Sequence, residues 1–325
     1  MRILITGITG SGGSYLAEYI NTNTNDEIFG TTRAHNDINH RNIRRVKNKI
    51  NLTCVDLTDF PSLLRFLDKN RFDIIFHIAS IANVRESFDN PTHIINNNIN
   101  ITLNLFEVIR LLKEKDGYNP VCVSCSSSEC YGNPEPKHIP INENCPLKPI
   151  NPYAVSKMAQ DNLSYVYFLN YGLNIIRTRM FSYFNAKRLD LFASAFAKQI
   201  LDIKNGKKEN LLIHGNLSSI RTMIDVRDAA ESYYLTAIKG RVGEVYNIGG
   251  TIQTSVGDIL QKLIEISNIK INTRQEQSLL RPSDVCKQVP DISKFTTDTG
   301  WKLKYDLKES LDFFWKEMNE FWVNK

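Results

Sequence analysis

Long apolar runs are missing from this 325-residue chain: no stretch approaches the roughly 20 residues that a membrane-spanning helix needs. Its opening, Met-Arg-Ile-Leu-Ile-Thr-Gly, reads as a short strand entering a glycine turn and lacks the pattern of a secretory signal. There are only six cysteines, Cys54, Cys122, Cys125, Cys130, Cys145 and Cys286. No second pair completes a zinc pattern and no histidine follows at ligand spacing. No metal is therefore expected, and the thiols read as reduced groups of a cytoplasmic protein. An excess of one charge sign is lacking too, the formal net charge being +5. One basic run, Arg41, Arg44, Arg45, Lys47 and Lys49, has no aromatic residues interleaved for base stacking. It reads as the solvated face of a helix and not as a nucleic-acid surface. Internal repeats and low-complexity linkers are absent.

What is present suffices for a proper core, since 42% of residues are hydrophobic, and the length exceeds one typical domain. An apolar strand over Arg2–Thr6 leads into Gly7-Ile8-Thr9-Gly10-Ser11-Gly12-Gly13 and then a helical pattern from Tyr15 to Ile20. Glycine is needed where such a turn is tight, where backbone approaches a pyrophosphate and where helix packs on strand. The helix N-terminus then offers free N–H groups and a positive dipole end. Gly7, Gly10, Ser11, Gly12 and Gly13 are accordingly candidate phosphate-binding residues. A second strand, Glu27–Thr32, ends at Arg33. An acid at that point meets ribose hydroxyls, whereas an arginine accommodates a 2′-phosphate, so NADP is the expected cofactor and NAD the alternative.

A third strand, Asn51–Val55, leads to Asp56 and Leu57, candidates for the adenine edge. A fourth, Phe72–Ile78, precedes Ala79 and Ser80, small residues where backbone can pass close to the cofactor. Helices over Phe60–Lys69 and Thr92–Lys115 separate these from a fifth strand beginning near Asn119. Alternation at this pace implies an α/β protein with right-handed crossovers and a Rossmann-type doubly wound parallel sheet. Its ligand belongs beyond the carboxyl ends of the strands, where Gly7, Ala79 and Ser127 fall. Residues 1–180 are expected to form mainly the dinucleotide-binding part. Residues 181–325 should form mainly a smaller α/β substrate-binding part, with about 211–250 returning to the first.

The fifth strand continues as Val-Ser-Cys-Ser-Ser-Ser-Glu-Cys-Tyr-Gly, and after a proline-rich loop comes Asn-Pro-Tyr-Ala-Val-Ser-Lys. Asn151 suits an N-cap and Pro152 the first helical position. On the helix that follows, Tyr153 and Lys157 stand four residues apart and share a face. A phenol titrates near ~10, and a neighbouring ammonium lowers that value. With Ser127 facing the pair, the constellation suits taking a proton from an alcohol while a hydride leaves the same carbon.

Gly7-x-x-Gly10-x-x-Gly13, Tyr153-x-x-x-Lys157 and a strand-end hydroxyl together resemble the extended short-chain dehydrogenase/reductase superfamily over nearly the whole chain. Within it, the stretch from Gly7 to Tyr19 and Ser126-Ser127-Ser128-Glu129-Cys130-Tyr131-Gly132 resemble the GDP-mannose 4,6-dehydratase group. The resemblance implies catalytic roles for Ser127, Glu129, Tyr153 and Lys157. It also implies a GDP-linked sugar as substrate and a homo-oligomer, dimer or tetramer. Gly215-Asn216-Leu217 with Arg221 and Asp228, and Arg281-Pro282-Ser283-Asp284-Val285, line up with segments near the nucleotide. Phe181 to Arg188 departs from the group's pattern, whose substrate-facing asparagine falls at Ser182; Asn185 is the candidate replacement amide. Ser87, Ser128 and Lys198 complete the substrate-side set, which thus comprises Ser87, Ser128, Ser182, Asn185, Lys198, Arg221, Arg281 and Asp284.

Glu129 can be argued on chemistry alone. Oxidation of a hexose at C4 acidifies the C5 proton, and a carboxylate two residues past Ser127 can reach it. Loss of the C6 hydroxide and hydride return then give a 4-keto-6-deoxy sugar. A C4 epimerase needs no base at C5, so Glu129 favours a 4,6-dehydratase. An epimerase, reductase or decarboxylase on the same scaffold is the alternative, and a non-catalytic nucleotide sensor is opposed by the Tyr153–Lys157 pair. GDP-mannose is the default sugar, with GDP-N-acetylglucosamine or a GDP-heptose competing because of Ser182.

Overall fold

In the computed structural model, which describes residues 1–33, 38–280 and 285–323, the strands form where short apolar runs are cut off by glycine, asparagine or aspartate. They are β1 (Arg2–Thr6), β2 (Glu27–Thr32), β3 (Ile50–Cys54), β4 (Ile74–His77), β5 (Val121–Ser127) and β6 (Ile175–Met180). Later in the chain come β7 (Leu211–His214), β8 (Ile220–Thr222), β9 (Val245–Ile248), β10 (Gln253–Ser255) and β11 (Asn272–Gln275). Seven of them build one parallel sheet in the order β3-β2-β1-β4-β5-β6-β9. The remaining four pair off as β10 with β8, antiparallel, and β11 with β7, parallel. Central strands such as β4 are buried on both faces, while the edge strand β3 alternates, with Asn51 and Thr53 exposed.

The helices are α1 (Ser11–Asn23), α2 (Phe60–Lys69), α3 (Val84–Asp89), α4 (Pro91–Asp116) and α5 (Pro152–Tyr171). After β6 follow α6 (Phe192–Lys204), α7 (Val226–Lys239), α8 (Val256–Ser267), α9 (Ser293–Thr299) and α10 (Leu307–Trp322). One apolar cluster covers one sheet face, with Leu16 and Ile20 of α1 and Tyr233 of α7 among its members. The opposite face is closed by Leu63 and Leu67 of α2, Leu105 and Ile109 of α4 and Tyr167 of α5. A third cluster joins α6, α8 and α10 through Ile200, Leu263 and Phe314. The doubly wound parallel sheet is therefore as expected, and α10 packs its Leu311, Phe314 and Met318 into the third cluster.

The basic run has a different environment from the one its spacing suggests. Residues Ile38–Ile43 and Lys47–Lys49 form short 3-10 turns, not one amphipathic helix. Arg41 lies 3.8 Å over the Trp322 ring and Arg44 4.3 Å over Phe321. Arg45 pairs with Glu317 and Glu320 at 2.5 Å each. The guanidiniums thus pack along α10, where ring faces and carboxylates both attract them.

The strand order reverses between β1 and β4, so their carboxyl ends diverge and open a crevice there.

Candidate active site

The turn after β1 is built for close approach. Gly7 has φ +67°, and a Cβ there would sit 2.8 Å from Ala79 Cα. At Gly13 a Cβ would lie 2.7 Å from the Gly7 carbonyl, so α1 starts pressed onto the turn. Gly10 is the N-cap of α1 and supplies no side-chain cap, leaving the first N–H groups of Ser11, Gly12 and Gly13 for a ligand. Ser80 Oγ is buried without a partner just past the point where Ala79 meets Gly7. An uncapped helix start, a cradle that any Cβ would fill and an orphaned hydroxyl at the switch point fit a dinucleotide. Arg33 is exposed at the end of β2, and Asp56, past β3, accepts from the Thr58 N–H and hydroxyl. Leu57 is buried among the α2 and α4 side chains.

The second half of the site is α5 and the end of β5. Asn151 caps α5, its Oδ1 accepting the Ala154 N–H at 2.8 Å, with Pro152 in the first turn. The helix is locked from below by a buried ion pair, Asp161 with Arg179 at 2.9 Å, and by Arg177 at 3.2 Å. Tyr153 is buried, with the Ser127 hydroxyl close enough to act on its phenol. Burial pushes its phenol well above the ordinary value, and the charge of Arg188 and the Ser127 hydroxyl pull it back. Lys157, buried as well, donates to the Cys125 carbonyl, and burial lowers its ammonium from the ordinary value. The charge of Arg188 therefore acts on the Tyr153 phenol, while the Lys157 ammonium is turned to the Cys125 carbonyl. Glu129 sits in a 3-10 turn, Ser128–Tyr131, whose Glu129 N–H is capped by Ser127 Oγ at 3.2 Å. Its Oε2 accepts from Asn151 Nδ2 at 3.0 Å, which turns the carboxylate toward the start of α5. Ser127, Glu129 and Tyr153 are therefore brought together.

The substrate-side candidates scatter more widely. Ser128 Oγ donates to Gln288 Oε1 at 3.4 Å, and Ser182 contributes its carbonyl to the Ile224 N–H. Ser87 is fully buried and bonds back to the Val84 carbonyl at 2.6 Å. Asn185 is buried against the glycine turn, donating to Ser11 Oγ at 3.0 Å. Lys198 pairs with Asp202 one turn along α6, at 2.5 Å. Arg221 lies on β8, largely buried and opposite Thr254, and donates to the Ile220 carbonyl at 2.9 Å. Asp228 accepts the N–H groups of Lys304 and Tyr305, and burial lifts its carboxyl to about 6. Arg281 and Asp284 lie outside the described residues. An open cavity of about 600 Å³, lined by Asn133, Pro136, Cys286 and Lys287 among others, adjoins the loop that follows Glu129.

Two residues escaped sequence reasoning. Arg188 reaches across the crevice, donating to the Ala82 carbonyl and held by Asp190 at 2.6 Å. It lies in the stretch without a family pattern, so no motif signalled it. Asn151 was legible only as a cap; its bond to Glu129 joins positions 22 apart in sequence.

The model of the GDP-mannose 4,6 dehydratase family matches residues 4–313. The chain belongs to that family. It is thereby an enzyme of the nucleotide-sugar dehydratase, epimerase and reductase superfamily. Among curated relatives, the GDP-6-deoxy-D-mannose reductase of Pseudomonas aeruginosa is 26% identical over 95% of this chain and 94% of that protein. GDP-mannose 4,6 dehydratase 2 of Arabidopsis thaliana is 28% identical over 92% of this chain and 82% of that one. Among solved structures, RMD from Pseudomonas aeruginosa, complexed with NADPH, superposes with a TM-score of 0.81 at 24% identity. It covers 98% of this chain and 99% of its own. The dTDP-glucose 4,6-dehydratase DesIV from Streptomyces venezuelae, with NAD bound, gives 0.86 at 22% identity, covering 98% and 97%. The structural likenesses establish the fold.

Proposed function

We propose that the protein is a nucleotide-sugar 4,6-dehydratase acting on a GDP-hexose with NADP, in the cytoplasm. The observation that carries this reading is the Glu129 carboxylate held at the start of α5, beside Ser127 and Tyr153. An alcohol oxidation alone leaves that acid without a task. NADP, when bound, accepts a hydride from the sugar and gives it back. Gly7, Gly10, Ser11, Gly12, Gly13, Ala79 and Ser80 are the residues that would hold its phosphates and pass beneath it. Arg33 would face the 2′-phosphate, and Asp56 and Leu57 the adenine. The family's use of GDP-sugars and the likeness to a GDP-6-deoxy-D-mannose reductase support guanine as the base.

The chain's own chemistry then runs as follows. Tyr153, beside Ser127, takes the O4 proton as the C4 hydrogen departs as hydride, leaving a ketone. Glu129 removes the C5 proton that this ketone acidifies. The C6 hydroxide leaves as water with that proton; C6 then receives the returning hydride, and a proton equivalent to the one Tyr153 took from O4 is added at C5. The net change is loss of one water with no net oxidation. Lys157 would order the nicotinamide ribose, and the 133–139 loop and the segment around Cys286 flank the space open to the sugar nucleotide.

Incubation with GDP-mannose, GDP-N-acetylglucosamine and dTDP-glucose, read by mass spectrometry, tests the reading: one of them should lose water without added reductant. Inversion at C4 with no mass change would overturn it. Glu129→Gln should cut water loss by about 10²–10⁴-fold while C4 oxidation survives, seen as accumulating reduced nicotinamide. A second reading, reduction of a 4-keto sugar, is favoured by the likeness to the reductase and predicts stoichiometric NADPH consumption. Self-association is part of the proposal. Tyr165, Val166, Leu169 and Tyr171, all exposed, supply an apolar surface on α5.

A further inference from the structure

Asn151 uses both ends of its amide. Its Oδ1 accepts the Ala154 N–H at 2.8 Å, which caps the helix bearing Tyr153 and Lys157. Its Nδ2 donates to Glu129 Oε2 at 3.0 Å. The residue is itself 7% exposed, the cap bond is buried and the bond to Glu129 is partly buried, which limits competition from water. Both bonded partners are fixed independently. α5 is pinned by Asp161 to Arg179 and by Gln160 Nε2 to the Asn98 carbonyl at 2.9 Å. The Glu129 turn is pinned by Ser127 Oγ on the Glu129 N–H and by the Glu129 carbonyl on the Gly132 N–H. A flexible carboxylate between two rigid pieces needs something to set its direction, and one amide bridges the gap.

We infer that Asn151 is a positioning residue for the elimination step, holding the Glu129 carboxylate in register with Tyr153 so that the C4 and C5 hydrogens of one sugar are met together. The inference rests on the dehydratase reading above and assigns Asn151 no contact with substrate. A helix cap needs only an acceptor oxygen, which serine and aspartate provide as well as asparagine. Holding a carboxylate needs a donor, which aspartate lacks and which the shorter serine cannot extend to the same point. The two tasks of the side chain are therefore separable by substitution. Asn151→Ser keeps the cap and loses the amide donor. Asn151→Asp keeps the cap and sets a second negative charge against Glu129, turning attraction into repulsion.

The test uses the full-length enzyme and whichever of GDP-mannose, GDP-N-acetylglucosamine and dTDP-glucose the wild type dehydrates. Three quantities are read: the thermal midpoint, the rate of substrate-dependent nicotinamide reduction at 340 nm, and the rate of deuterium uptake at C5 with water loss. Asn151→Ser is expected to keep its thermal midpoint within about 3 °C and its reduction rate within about threefold. Its C5 exchange and water loss should fall by about tenfold or more, in kcat and not in KM. Asn151→Asp should lose more than Asn151→Ser in the same step. Equal loss in both half-reactions together with a lowered midpoint would make Asn151 a structural cap only. A wild-type rate of C5 exchange in Asn151→Ser would overturn the inference alone. A wild type that removes water from none of the sugars overturns the dehydratase reading, and this inference with it.

Discussion

Tyr153 is the residue on which opposing influences meet. Burial raises its phenol, and the Ser127 hydroxyl and the Arg188 charge act against that. The proton-accepting form of a phenol is the anion, so any group that favours the anion widens the pH range of the proposed C4 oxidation. Arg188→Met removes that charge and leaves burial less opposed. The ascending limb of the pH–rate profile for nicotinamide reduction should then move to higher pH, with roughly tenfold loss near neutrality. Stopped-flow absorbance across pH 6–10 measures it, and an unmoved limb would assign the tuning elsewhere. The cysteines near the site take no such part: burial pushes Cys125 up to about 12 and Cys130 to about 11, holding both as thiols.

At the scale of an element, α5 matters most because three of the functional groups depend on its placement. Its underside carries Asp161, fully buried, facing Arg179 and Arg177. Arg179 also donates to Tyr131 Oη at 2.9 Å, and Tyr131 in turn donates to Asn247 of β9, so the pair ties α5, β6 and β9. Asp161→Asn would leave the Arg179 charge buried and unbalanced. The expected loss of unfolding free energy is roughly 3–5 kcal/mol, measured by urea denaturation. Activity should fall beyond the unfolded fraction, because Tyr153 sits two turns from the broken pair. The expected helices over Phe60–Lys69 and Thr92–Lys115 agree with α2 and, within one residue at each end, with α4, since capping and apolar spacing are local properties. α3, β8, β10 and β11 went unread: each has six residues or fewer, and their pairing partners lie far along the chain.

For the whole molecule, His77 of the sheet carries a pH dependence of stability with a clear sign. His77, at the end of β4, is buried between Thr6 Oγ1 at 3.0 Å and Thr102 Oγ1 at 2.9 Å. Burial, and behind it the Lys157 charge, lowers its imidazolium to about 3. The folded protein keeps it neutral while the unfolded chain takes up a proton near ~6.5. Stability from this group is thus fully present above about pH 6.5 and is lost as pH falls toward 3. The loss should reach on the order of 5 kcal/mol, and His77→Gln should flatten that part of the pH dependence in equilibrium unfolding. Among the described residues, no helix is long and apolar enough to cross a membrane.

The sequence alone determined the strand–helix alternation, the glycine turn and the Tyr153–Lys157 face, because each depends on neighbours within about ten residues. It also determined the hydroxyl and carboxylate at the end of β5, since residue spacing along a strand and turn is fixed by backbone geometry. Only tertiary structure decided which groups face one another. Arg188, from the loop after β6, brings its charge to bear on Tyr153, and Lys157 turns to the Cys125 carbonyl. The arginines near residue 44 lie along α10, more than 270 positions away in sequence. Long-range pairing of this kind leaves no periodic trace in a chain, because a guanidinium or a carboxylate is chosen for its partner and not for its neighbours.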